Sequence, residues 1–135
     1  MERASADPRS PFATPFQLAQ RAAALSSDKK SADIVILDLR ELSSVTDFFV
    51  ICSGRSDIQV RAICDHVTQE LKAEGVVPLA TEGVERGRWA LLDFGDVVVH
   101  VFQEGVRRVF DLERLWLQAP RWTYESGSVI ETAPV

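Results

Sequence analysis

The stretch RWALLDFGDVVVHVF, residues 88–102, decides the fold. Two strand-like runs, Arg88–Asp93 and Asp96–Phe102, flank Phe94-Gly95, and a glycine at such a reversal signals a tight β-hairpin. A two-residue loop at Phe94-Gly95 pairs Asp93 with Asp96, Leu92 with Val97, Leu91 with Val98, Ala90 with Val99 and Trp89 with His100. Side chains alternate in direction along a strand. One face of the hairpin therefore carries Ala90, Leu92, Val97, Val99 and Val101, which is wholly apolar and must be core. The other carries Trp89, Leu91, Asp93, Asp96, Val98, His100 and Phe102, an apolar centre with an aromatic at one end and two carboxylates at the other.

Two readings of that second face compete. In one, the last helix covers it, and Trp89 and Phe102 belong to the core. In the other, it is at least partly open, and Trp89, Leu91, Asp93, Asp96, Val98, His100 and Phe102 are partner-binding residues. A tryptophan and aliphatics ringed by polar groups are the usual makeup of an interface hot spot. Asp93 and Asp96 would then select a basic partner.

Outward from the hairpin, the pattern predicts a single α/β domain in the order αββαβββα, with a mixed sheet of about five strands. Residues 1–13 are polar and without periodicity, and read as a disordered N-terminal arm. Thr14-Pro15-Phe16-Gln17 reads as a helix start, with Thr14 as cap and Pro15 in the first turn. The runs Ile34–Leu37 and Phe48–Ile51 predict two neighbouring antiparallel strands, because no helix fits between them. Ser56 with Gln59 forms a second capping box. Val60, Ile63, Val67 and Leu71 then make a helical apolar stripe that Gly75 ends. Val76–Leu79 predicts a short edge strand because of Pro78. Val109–Leu117 predicts a last short helix, and Pro120 closes the domain, which spans 14–120. Residues 121–135 are expected to be a flexible tail.

The 135 residues suit one domain, with enough buried surface to need no disulfide or metal staple. Fifteen Lys+Arg against twenty Asp+Glu give a net charge of −5, which repels phosphate backbones at long range. No strong direct nucleic-acid binding is expected, and a basic protein partner is easier to accommodate. No apolar run reaches the ~18 residues of a membrane span, and the N-terminus has no signal-peptide pattern, so a cytoplasmic location with no membrane partner is expected.

Candidate chemistry is sparse, and no catalytic, metal or cofactor site is expected. Cys52 and Cys64 match no metal or redox spacing. Cys52 with His66 or His100 could pair as nucleophile and base, but Cys52 sits inside an apolar strand. Asp93, Asp96 and His100 could form a metal or acid–base set, but His100 lies roughly 10 Å or more from the hairpin tip. Ser53-Gly54-Arg55-Ser56 joins a strand to a helix start, a geometry able to hold an anion, without a P-loop or GxGxxG pattern.

Taken together, several segments resemble one family. They are Thr46–Gly54 with Ser56 and Gln59-Val60, then Asp65-His66-Val67, Gly75, Pro78, Glu82-Gly83 and Gly87, the run Trp89–Phe102, and Arg107–Trp116. Over residues 15–120 the chain resembles the ribosomal silencing factor family, RsfS, also called Iojap-like. The resemblance implies a non-enzymatic regulator that binds the large ribosomal subunit through ribosomal protein fourteen of its L series. It would block joining with the small subunit and repress translation under nutrient limitation or in stationary phase. It implies a nucleotidyltransferase-like fold without the catalytic carboxylates, and a possible homodimer when free. It maps the interface onto Trp89, Leu91, Leu92, Asp93, Asp96, Val98 and His100; the face arithmetic removes Leu92 and adds Phe102. The alternative is a small nucleotidyltransferase-like enzyme or nucleotide-binding module that uses Ser53-Gly54 to hold phosphate.

Overall fold

A computed structural model describes residues 11–132; residues 1–10 and 133–135, which hold most of the expected arm and the end of the expected tail, lie outside the described residues. Helix α1 runs over Pro15–Asp28 and helix α2 over Asp57–Ala73. Thr14 Oγ1 accepts the Gln17 N–H at 3.2 Å, and Ser56 Oγ accepts the Gln59 N–H at 3.1 Å. Each glutamine reaches back one residue further than a strict capping box requires, accepting from Ala13 N and Arg55 N. At the far end of α2, Gly75 adopts φ 94°, its N–H reaches the Lys72 carbonyl and the Val76 N–H reaches that of Leu71. That double closure is a Schellman motif, and it is why the glycine stands there.

Seven strands form one mixed sheet: β1 Ala32–Asp38, β2 Phe48–Gly54, β3 Ala80–Glu82, β4 Trp89–Asp93, β5 Val97–Gln103, β6 Arg121–Glu125 and β7 Ser128–Thr132. Their order is β3-β4-β5-β2-β1-β6-β7. β1 and β2 are antiparallel neighbours as their sequence predicts, whereas β2 and β5 pair in parallel across the α2 crossover.

The sheet corrects the expected count of five strands. Residues 121–132 are no flexible tail: β6 pairs with β1, and β7 pairs with β6 around Ser126-Gly127, both at positive φ. Pro120 does not end the fold. Lacking an N–H, it still lends its carbonyl to the Asp38 N–H at 2.8 Å and leads directly into β6. Trp122 packs its ring 4.7 Å from that of Phe16 on α1. Phe12, read as part of the arm, also packs against the core. The expected strand at Val76–Leu79 forms later, as β3. The expected helix at Val109–Leu117 is two pieces, α3 Glu104–Phe110 and α4 Leu112–Leu115, separated by Asp111 at φ 46°.

The β4–β5 hairpin closes two residues away from the expected register: Trp89 opposes Phe102, Leu91 opposes His100 and Asp93 opposes Val98. Phe94 is buried rather than in the turn, and its N–H bonds to the Val97 carbonyl at 2.9 Å. The turn is Gly95-Asp96, with Gly95 at φ 87° and its N–H held by Asp93 Oδ1. Burying the Phe94 ring decides between the two registers. A shift of two preserves parity, so the faces stay as expected. Ala90, Leu92, Val97, Val99 and Val101 join the core under α1 and α2.

Candidate functional site

The second sheet face carries its own smaller core of Val35, Leu37, Leu39, Ile51, Phe102 and Ala119. Phe49, Trp89, Val106, Leu112 and Trp116 pack on it while staying partly exposed. The segment α3–α4 lies over this face without burying any of its own residues. The face is therefore covered in part and open in part.

The structure divides the expected partner-binding residues into two groups. Trp89, Leu91, Asp93 and Asp96 are half-exposed. Phe102 is 0% exposed, His100 3% and Val98 8%, so these three expected contact residues are buried in this structure rather than open. They form the floor beneath the exposed groups. Phe102 is covered because Trp89 stacks on it, ring centroids 4.9 Å apart and 25° between planes. The Phe110 ring also lies 4.9 Å from that of Trp89, tilted by 46°, and remains 55% exposed. Val109 is 79% exposed beside it. Sequence reasoning missed Phe110 and Val109, because it placed them inside a covering helix. The signal was the pair of adjacent large apolar residues, only one of which a packed helix face can bury.

Within this cluster the Trp89 indole Nε1–H donates to His100 Nδ1 at 3.1 Å. Phe49 meets the His100 ring edge-on, centroids 4.5 Å apart. Burial pushes the His100 pKa down to about 4, so the ring is neutral at ordinary pH.

The carboxylate end is held rigidly. The Asp96 carbonyl accepts the N–H groups of Asp47 and Phe48 at 3.0 Å each, and Thr46 Oγ1 donates to the Gly95 carbonyl at 3.0 Å. The β1–β2 connection thus braces the hairpin tip. Asp93 does not face Asp96 across the turn but caps Gly95, so the two carboxylates are not a cross-strand pair.

The residues considered for catalysis are used otherwise. Cys52 and Cys64 are buried free thiols, and desolvation pushes them up to about 11 and about 12, away from the reactive thiolate. His66 Nε2 lies 3.0 Å from Asp28 Oδ2, between the two helices. Ser53 Oγ accepts from Arg107 Nη1 at 2.8 Å. A cavity of about 610 Å³ opens beside this contact. It is lined by Asp33, Glu104, Asp111, Glu113 and Glu125 against Arg107 and Arg108. Arg107 is already engaged by Glu113 and Ser53. That excess of carboxylates disfavours a phosphate. Among the described residues no group of three or more His, Cys, Asp and Glu side chains could hold a metal ion. Nor is any helix among them long and apolar enough to cross a membrane.

The described residues thus form an α/β domain that carries a partly open aromatic cluster of Trp89 and Phe110 and a braced acidic turn. Residues 13–134 match the family model described as ribosomal silencing factor during starvation, and the chain belongs to that family. The ribosomal silencing factor RsfS of Bacillus subtilis is 44% identical over 99 residues, spanning 73% of this chain and 84% of the relative. That of Halalkalibacterium halodurans is 41% identical over 114 residues, spanning 84% of this chain and 96% of the relative. A crystal structure of a Chromobacterium violaceum protein superposes with a TM-score of 0.69 at 40% identity, covering 76% of this chain and 82% of that one.

Proposed function

We propose that this protein represses translation by binding the large ribosomal subunit through ribosomal protein fourteen of the L series and so blocking its union with the small subunit. Family membership supports the general role. The observation that supports the docking surface is a step of half-buried Trp89 and Leu91 with exposed Val109 and Phe110, together with half-buried Asp93 and Asp96. Such a surface combines aromatic anchors with a charged rim. The net charge of −5 suits a basic ribosomal protein better than the RNA around it. In this reading the protein acts in the cytoplasm without a cofactor, performs no catalysis, and forms a homodimer when free. In this reading its frame is nucleotidyltransferase-like without the catalytic carboxylate pair: Asp93, ending β4, and Asp96, in the turn, are three residues apart rather than alternate residues on a strand.

The test is sedimentation of the purified protein with isolated large and small subunits on sucrose gradients. Co-migration with large subunits and a reduced yield of joined ribosomes are expected. Failure to co-migrate at both low and moderate salt would refute the proposal.

A further inference from the structure

Resting on that docking surface, we infer that His100 is its positioning residue. By accepting the Trp89 indole N–H it fixes the orientation of that ring and makes Trp89 a purely apolar contact. The matching pocket on the partner is then apolar and offers the indole no hydrogen-bond acceptor.

Geometry and proton inventory carry the inference. An indole N–H can only donate, so His100 Nδ1 must accept and the ring proton of the neutral imidazole must sit on Nε2. Nε2 is buried and has no hydrogen-bond partner among the described residues. An unmatched interior donor lowers stability, so an aliphatic side chain would suit this packing better. What a histidine supplies here and an aliphatic cannot is the acceptor facing Trp89.

The surrounding rings leave that acceptor a specific task. Phe102 and Phe110 each lie 4.9 Å from Trp89 and restrict the plane of the indole. Stacking alone distinguishes only weakly one end of the ring from the other, because dispersion is nearly indifferent to a flip of the indole in its own plane. The 3.1 Å bond selects one of the two arrangements. His100 itself is held, 97% of its surface being covered with Phe49 against its ring. Depression of its pKa to about 4 keeps it an acceptor through the neutral range. With its donor occupied, Trp89 presents only hydrocarbon edge and face to a partner.

Nitrogen-15 NMR of the full chain should show coupling across the hydrogen bond from Trp89 Nε1 to His100 Nδ1, with His100 in the Nε2–H form. Absence of that coupling, or an Nδ1–H imidazole, overturns the inference and does so even if variants fold poorly. Binding to purified large subunits is then measured for four variants. His100→Leu is expected to bind about three- to tenfold more weakly, the cost of leaving one anchor side chain unordered. His100→Asn, whose amide oxygen falls near the place of Nδ1, should recover most of the loss. Trp89→Phe should stay within about threefold of wild type, since its ring has no end to choose and no donor to satisfy, whereas Trp89→Ala should lose about 30-fold or more. If His100→Leu binds normally while Trp89→Ala does not, positioning is refuted and the docking surface stands. If Trp89→Phe loses as much as Trp89→Ala, the indole N–H serves the partner and the inference fails. If Trp89→Ala binds normally, or wild type does not bind, the docking surface fails and the inference with it.

Discussion

Arg107 Nη1 lies 2.8 Å from Ser53 Oγ, across the gap between α3 and the end of β2. The same guanidinium reaches the Asp33 carbonyl at 2.8 Å and Glu113 Oε1 at 2.9 Å. One side chain thus ties α3 to β1, β2 and α4. Since neither α3 nor α4 buries a residue, the placement of Val109 and Phe110 leans on these bonds. Arg107→Ala should destabilise the protein by about 2 kcal/mol, the scale of a lost set of charged hydrogen bonds. Amide exchange should accelerate chiefly over residues 104–117. Arg107→Lys should restore little, because an ammonium cannot reproduce the planar fork. Unchanged exchange in that segment would contradict the tie.

Trp89→Ala and Val99→Ala should separate binding from folding. Val99 is fully buried against the helices, and its truncation should lower stability by about 2 kcal/mol through lost transfer energy and a cavity. Trp89 is half-exposed, and its truncation should weaken large-subunit binding by about 2 kcal/mol or more. Urea midpoints and binding isotherms report the two effects independently. A destabilised Trp89→Ala that binds normally once folded would move the interface elsewhere.

Charge at the hairpin tip should act on encounter more than on folding. Asp93→Asn keeps an acceptor for the Gly95 N–H, so it removes charge while sparing the turn. Asp96→Asn does the same for the second carboxylate. Each should slow association and flatten its dependence on salt, as expected for rim charges facing a basic partner. Stopped-flow association at several ionic strengths checks this, and identical salt slopes for wild type and both variants would count against it.

Acid should destabilise the protein partly through His100. Its folded pKa of about 4 lies below the ordinary 6.5, so the unfolded chain takes up the proton first. The stability is fully present above pH 6.5 and declines as pH falls towards about 4. The full loss is on the order of 3 kcal/mol, at about 1.4 kcal/mol per pH unit. Arg21 holds the Glu74 carboxyl below its usual range and adds an acid loss of the same sign at lower pH. Comparing wild type with His100→Leu by urea denaturation from pH 7.5 to 4.5 isolates the histidine. Parallel curves would show that protonation costs nothing there.

Removing residues 121–135 should damage the fold rather than trim it. The truncated chain would expose the β1 backbone at Val35, Ile36 and Leu37, which now pairs with β6. It would also lose Trp122 from Phe16. A lowered melting temperature and concentration-dependent association at the bared strand edge are expected. A truncated chain as stable and monodisperse as the full one would reverse this expectation.

The sequence by itself determined helices α1 and α2, the β1–β2 pair and the two faces of the β4–β5 hairpin. Each follows from local rules: Ser56 with Gln59 starts α2, Gly75 ends it, and strict alternation sends Val97, Val99 and Val101 to one side. The hairpin register escaped because Phe94 serves equally well in a turn or as a closing pair until a core exists to bury it. The β6–β7 hairpin had a local signal in Ser126-Gly127, but its strands gain their stability only by pairing with β1, far away in sequence. The open part of the second sheet face, on which the proposed docking rests, was only half legible. Parity placed Trp89, Leu91 and Asp93 together on the second face, yet which residues lie open there depends on α3–α4. Asp111 breaks that segment, and Arg107 pins it through bonds to Asp33 and Ser53, more than fifty residues away. Periodicity records which side of a strand a residue faces. Whether that side meets solvent is decided by contacts between distant segments, and those exist only once the chain has closed on itself.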